Sequence, residues 1–152
     1  MNGYERRQGE IFFDWDDFDV DPGKPPVEVE MRRTVGDETE CRPGLKVGAF
    51  LGEEEIAACH ITSCGQWSSE PKEQARLFVG WLGVEDVYQG RGLGRYALLF
   101  TMKAAQEIGY RHAAISTSVR NHRAFVFYSN IGFHVTDMTY GWMKNRKSGR
   151  EE

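Results

Sequence analysis

Residues 84–100 read VEDVYQGRGLGRYALLF. Gly90, Gly92 and Gly94 crowd the end of a turn, and an apolar helical stripe starts at Leu93. A helix leaves the N–H groups of its first turn unpaired and carries roughly half a positive charge at that end. Glycines ahead of it let the backbone approach an anion without an intervening Cβ. A strand ending at Val84, this turn and this helix therefore predict a site for a phosphate-bearing ligand. Two familiar phosphate loops do not fit. A P-loop needs Gly-Lys-Ser/Thr after four spacer residues, and the chain has no such Lys-Ser/Thr here. A dinucleotide fingerprint needs two residues between its second and third glycines, whereas Gly92 and Gly94 are separated by one.

Working outward, Leu93, Ala97, Ala104 and Ile108 share one helical stripe with Phe100 and Thr101 beside it, and Gly109 ends the helix. Upstream, RLFVGWLGV is nearly all apolar and predicts a central strand covered on both faces. GLKVGAFL and IAACHITSC predict an antiparallel hairpin turning at GEEE, followed by a polar loop over residues 65–74. Val27, Val29 and Met31 alternate with Glu28, Glu30 and Arg32, the period of a half-buried strand. Downstream, HAAISTSV is another buried strand, a short helix runs from Asn121 to Asn130, and FHVTDMTYGWMK closes as two strands. The order predicts a mixed α/β (α+β) layer fold.

The N-terminal stretch is different. DWDDFDVDPGKPP is acidic and aromatic, then breaks at prolines, so residues 1–26 read as a segment ending in a linker. The expected organisation is this segment, a domain over residues 27–146, and a polar tail over residues 147–152. NGYERRQGEIFFDW also echoes NIGFHVTDMTYGWM near the other end. One reading of the echo is chance; the other makes residues 2–18 the closing strand pair of an upstream copy of the domain.

A net charge of −4 offers no basic surface, so nucleic acid and anionic lipid are not expected partners. No apolar run reaches the roughly 18 residues that span a bilayer. MNGYERRQGE lacks the apolar block of a secretory signal, and the expected location is the cytoplasm. Cys41, Cys59 and Cys64 have no metal-knuckle spacing and read as structural thiols. His112, His122 and His134 read as surface or structural residues, and no metal site is expected.

Gln89-Gly90-Arg91-Gly92-Leu93-Gly94 resembles the Gln/Arg-x-x-Gly-x-Gly/Ala signature of the GNAT superfamily of acyl-CoA-dependent N-acyltransferases. NHRAFVFYSNIGF, residues 121–133, resembles that family's second signature, Asn-x-x-Ala-x-x-Phe-Tyr followed by Gly-Phe. The likeness covers about residues 45–144. It implies a central, mixed, mostly antiparallel sheet flanked by helices, acetyl-CoA as cofactor, and transfer of the acetyl group to a primary amine of a small molecule or peptide by direct attack in a ternary complex. By that resemblance, backbone groups of Leu82 and Val84 hold pantetheine and the acetyl carbonyl where the strand splays. The N–H groups from Gln89 through Gly94 hold the pyrophosphate, with Arg91 and Arg95 at its rim. Asn121, Ala124, Phe127 and Tyr128 complete the cofactor site, and Tyr128 is the acid that protonates the departing thiolate. Independently of the family, Asn121, Ala124, Phe125 and Tyr128 are spaced to share one helical face, offering an amide, a gap and a phenol.

The base is left open among Glu85, Asp86 and His60, and an amine of low pKa needs none. One departure stands out. Family members usually carry one or two helices between the first and second strands, walling the acceptor pocket. Between VEVEMRR and GLKVGAF lies only a short polar span with Gly36, Pro43 and Gly44, too short for two ordinary helices. The acceptor side is then open, or covered by a second copy or an upstream domain. The competing function is a non-catalytic acyl-CoA-binding domain that keeps the pocket and loses the acceptor side.

Overall fold

A computed structural model describes residues 4–37 and 39–144. They form seven strands and three α-helices: β1 (Tyr4–Trp15), β2 (Glu30–Val35), β3 (Leu45–Leu51), β4 (Glu54–Ser63), α1 (Pro71–Gln74), β5 (Arg76–Val84), α2 (Leu93–Glu107), β6 (His112–Ser118), α3 (His122–Ile131) and β7 (His134–Lys144). The chain divides into two compact units, Asp14–Ile115 and Met1–Phe13 with Ser116–Glu152.

In the larger unit the strands lie in the order β2-β3-β4-β5-β6. The first three neighbouring pairs are antiparallel, and β5–β6 is parallel. This is the mixed, mostly antiparallel arrangement expected from the sequence. β3 and β4 turn tightly at Gly52-Glu53, where Gly52 takes φ +61°. Val47, Ala49, Ala57, Cys59, Leu82 and Val84 occupy one side of the sheet by register. Ala49, Ile56, Ala57, Leu93 and Ala97 form a buried cluster, and Val27, Val29, Met31, Leu82 and Val84 pack against it. The alternation at Val27–Met31 is therefore real, although β2 itself begins only at Glu30. Nine residues of α2 are buried, a wider face than the narrow stripe read from the sequence.

Phe18 and Val20, from the segment read as linker-like, are buried in this unit. Their neighbour Asp16 accepts a hydrogen bond from Nη1 of Arg76 at 2.7 Å. Arg76 is only 5% exposed. It also donates to Glu73, and Asp14 lies 3.8 Å away. Asp17 donates its backbone N–H to Nδ1 of His112 at 2.9 Å, which makes His112 structural. Residues 36–44 contain no helix among the described residues. The Tyr110 hydroxyl, 2.9 Å from the Pro43 carbonyl, ties this loop down.

In the smaller unit β1 lies beside β7. Phe13 sits edge-to-face against Phe125 and Tyr128 of α3.

Four expectations on elements are corrected. β7 is one continuous strand, running through Asp137 and Gly141, where two short ones were expected, and β1 is likewise a single strand, not the strand pair that one reading of the echo supposed. The polar loop at residues 65–74 contains the single turn α1, started by Pro71 at its first position. β5 is not covered on both faces: Arg76, Leu77 and Val79 are buried, but Gly80 and Trp81 are exposed.

Candidate active site

The turn before α2 has the backbone its glycines suggested. Gly90 and Gly92 take φ +78° and +82°, a conformation side chains other than glycine adopt only with strain. Gly92 is the N-cap, and no side chain caps the helix. The first intrahelical bond runs from the Tyr96 N–H to the Gly92 carbonyl at 3.1 Å, so the N–H groups of Leu93, Gly94 and Arg95 precede the ladder. Ordinary helices place acids in this first turn. This one has none, and Arg91 and Arg95 stand there exposed. Cations beside the positive end of a helix are unfavourable unless an anion joins them. Leu93 itself is 1% exposed and anchors the turn in the core rather than offering a side chain to ligand.

Gln89 holds the loop to the strand. Its side-chain amide donates to the Val84 carbonyl at 3.0 Å and to Asp86 at 3.2 Å. The Glu85 N–H donates to the Ile56 carbonyl at 2.9 Å, and the Arg91 guanidinium lies 5.7 Å from the centroid of the Tyr88 ring.

β5 changes partners along its length. Arg76, Leu77 and Phe78 pair with β6, while the ladder to β4 continues to Val84. Gly80 is skipped in that ladder, a bulge lying two residues before the expected splay at Leu82. Backbone groups on the far edge beyond Phe78 are therefore not paired with β6. Leu82 and Val84 spend their side chains on the α2 cluster, which leaves only their backbone for a ligand.

A pocket of about 240 Å³ opens at this end of β5, lined by Glu55, Ala58, Trp81, Gly83, Glu85 and Asp86 among others. A cavity of about 580 Å³ under the 36–44 loop contains none of the candidate binding residues. His60, half-buried on β4, is the cross-strand partner of Trp81. Burial pushes the Cys59 thiol up to about 12 and the Cys64 thiol up to about 11, as structural cysteines require.

In the smaller unit Asn121 caps α3: its side-chain oxygen accepts the Ala124 N–H at 3.1 Å. It stands just outside the helix, so the shared face expected from the spacing begins at Ala124. Tyr128 is half-buried among Phe13, Phe127 and Phe133, with ring centroids 5.4–6.0 Å away. The structure thus groups Leu82, Val84, Glu85, Gln89–Arg95 and His60 in one unit, and Asn121, Ala124, Phe127 and Tyr128 in the other. Sequence reasoning passed over Trp81 and Glu55. Strand alternation was the available signal, since it turns Trp81 and Gly83 away from the face taken by Leu82 and Val84.

A sequence profile described as the acetyltransferase (GNAT) family matches residues 11–133. No curated protein sequence matches significantly. Among solved structures, a tandem GNAT protein from the clavulanic acid biosynthesis pathway aligns with TM-score 0.73 and 13% identity, covering 92% of this chain and 55% of its own. A GCN5-related N-acetyltransferase from Sphaerobacter thermophilus gives 0.67 and 15%, covering 92% and 52%. A GCN5-related N-acetyltransferase from Kribbella flavida gives 0.61 and 14%, covering 92% and 59%. At these identities the likeness is one of fold, and the chain spans a little over half the length of the structures it resembles.

Proposed function

The chain belongs to the acetyltransferase (GNAT) family, and on that premise we propose that it transfers an acetyl group from acetyl-CoA to a primary amine of a small molecule or peptide. The observation that carries this reading is the uncapped N-terminus of α2, preceded by two glycines at positive φ and flanked by arginines instead of acids. Those features fit a diphosphate held by main-chain N–H groups.

Acetyl-CoA supplies the thioester. In the proposed reaction the amine nitrogen attacks the carbonyl carbon, the carbon–sulfur bond breaks, and the amine loses a proton. Backbone groups at Leu82 and Val84 orient the thioester and polarise its carbonyl as charge develops on oxygen. Gln89 through Gly94 bind the pyrophosphate, with Arg91 and Arg95 adding charge. Asn121, Ala124 and Phe127 line the pantetheine path. Tyr128 gives its phenolic proton to the leaving sulfur. For the amine's proton, Glu85 lines the pocket at the end of β5 and His60 lies one strand away; either serves as base, and an amine of low pKa transfers its proton to water.

The second reading is an acyl-CoA-binding domain without catalysis, favoured by the helix-free 36–44 loop where the family usually walls its acceptor. Calorimetry with CoA, together with thiol release from acetyl-CoA across polyamines, aminoglycosides, amino acids and peptides, separates the two. Binding with turnover on an amine supports the enzyme. Binding without turnover on any of them supports the second reading, and absence of CoA binding removes both.

A further inference from the structure

The segment before β2 touches α2 at both of its ends. At Phe18 it lies beside the C-terminal end: the Phe18 carbonyl accepts from Nε2 of Gln106 at 2.8 Å, and the Phe18 N–H donates to the Arg111 carbonyl at 3.1 Å. At Pro26 it lies beside the other end, where ring atoms of Pro26 stand 3.8–3.9 Å from the place a Cβ on Gly92 would occupy. Eight residues of extended chain span roughly 26–29 Å, and α2 from Gln106 back to Gly92 is about 21 Å long. Residues 18–26 are therefore a strap laid along α2, running against its direction and ending at the phosphate loop. Both ends of the strap are anchored. Val20 is buried, and Val27 and Val29 pack on the cluster that contains Leu93 and Ala97.

The charge along this segment changes where it meets the loop. Residues 8–31 hold eight carboxylates, and Lys24 is their only Lys or Arg. The carboxylates stop at Asp21 and resume at Glu28, so the stretch that passes Gly92 is free of acids and carries the single cation. The first turn of α2 lacks an acid as well. A carboxylate at either place would compete with a bound anion for the same N–H groups. Lys24 is exposed and pairs with no carboxylate among the described residues. Its backbone, by contrast, is constrained. The Asp21 carboxylate accepts the Gly23 N–H at 2.9 Å, Gly23 turns at φ +70°, and Pro25 and Pro26 stiffen the run to Gly92. Lys24 is two residues from Pro26, about 7 Å of chain at most, and its four-carbon stem brings an anion at the start of α2 within reach of its ammonium.

We propose that the strap is part of the cofactor site, with Lys24 binding a phosphate group of CoA from outside the helix. This rests on the acetyl-CoA reading for the identity of the ligand. Lys24 then joins Arg91 and Arg95 as a third cation, delivered by a part of the chain remote in sequence from both signatures.

The test is calorimetry with CoA and with 3′-dephospho-CoA in about 0.1 M salt, where screening over about 10 Å confines the effect of a charge to its near neighbours. Lys24→Gln should weaken CoA about three- to fivefold, the upper range for one solvent-exposed ion pair, and the loss should shrink as salt rises. Lys24→Arg should recover most of the affinity. Lys103→Gln removes the same charge from the far half of α2, where Lys103 is exposed, and should leave CoA binding unchanged. All three variants should keep the wild-type thermal midpoint. A loss shared by both ligands supports the proposal and places Lys24 on the diphosphate; a loss confined to CoA supports it and places Lys24 on the ribose phosphate. Equal CoA affinity in wild type and Lys24→Gln, an equal loss in Lys103→Gln, or a loss that Lys24→Arg fails to reduce overturns the proposal and leaves acetyl transfer standing. A wild-type protein that binds no CoA overturns the acetyl-transfer reading, and the role of Lys24 with it.

Discussion

At the residue scale, Gly92 and Tyr128 bear most directly on the proposed function. Gly92 combines φ +82° with the N-cap position, and the nearest atoms to a Cβ there belong to the Pro26 ring at 3.8 Å. Alanine meets no clash and suffers only left-handed strain, about 1–2 kcal/mol. Aspartate adds a carboxylate where the diphosphate is expected. Gly92→Asp should therefore weaken CoA by about 100-fold or more, equivalent to ~2.7 kcal/mol, whereas Gly92→Ala loses much less. Calorimetry of the pair checks this, and equal affinities would refute the loop assignment. Tyr128 is tested by removing one oxygen. Tyr128→Phe keeps the ring among Phe13, Phe127 and Phe133. As a general acid its loss should lower kcat by about 10²-fold or more while CoA affinity stays within about twofold. An unchanged rate would assign the phenol to packing alone. The glycines were legible in the sequence because their conformational need is local. Trp81 and Glu55 were not, because only the pairing of neighbouring strands brings them to line the pocket at the end of β5.

At the scale of elements, α2 and α3 are stabilised in opposite ways. α2 buries nine residues and leaves its N-terminus uncapped, so its stability comes from packing and its free N–H groups remain available. α3 has no fully buried residue, and its start depends on the Asn121 side chain. Asn121→Ala should cost about 1 kcal/mol and lower the thermal midpoint by about 2–4 °C, while Asn121→Asp or Asn121→Ser should restore most of it. Differential scanning calorimetry of the three variants reads this directly. If all three melt like the wild type, the cap contributes nothing measurable. β5 shows how far periodicity reaches. Its apolar run announced a buried strand, and Leu77 and Val79 are buried. The same run could not announce that its second half lacks cover, since burial depends on which other element crosses above it.

At the scale of the whole chain, a charged staple fastens residues far apart in sequence. Arg76 joins Asp16 and Glu73, and Lys72 reaches Asp16 as well, at 2.6 Å. The Lys72 hydrogen bond, aided by Arg76 and against a desolvation effect, holds the Asp16 carboxyl below its usual range. A carboxylate depressed in the folded state stabilises fully above its unfolded value of about 3.9, and that contribution is lost as pH falls through the lower folded value. Asp16→Asn should thus lower the melting temperature by a constant amount from about pH 5 upward, with the gap to wild type closing below about pH 4. A gap that stays constant down to pH 2 would show that the Asp16 charge is not what matters. The two glycine and asparagine motifs, the order of β2, β3, β4, β5, α2, β6 and α3, and the shortness of the 36–44 connection were fixed by the sequence alone. Backbone conformation and hydrophobic period are short-range properties, each set by a few adjacent residues. Only the tertiary structure decided that residues 14–20 pack rather than link, that Gly80 bulges, and that Trp81 and Glu55 line one pocket. Those outcomes depend on register and on cross-strand neighbours, which a linear sequence does not place side by side.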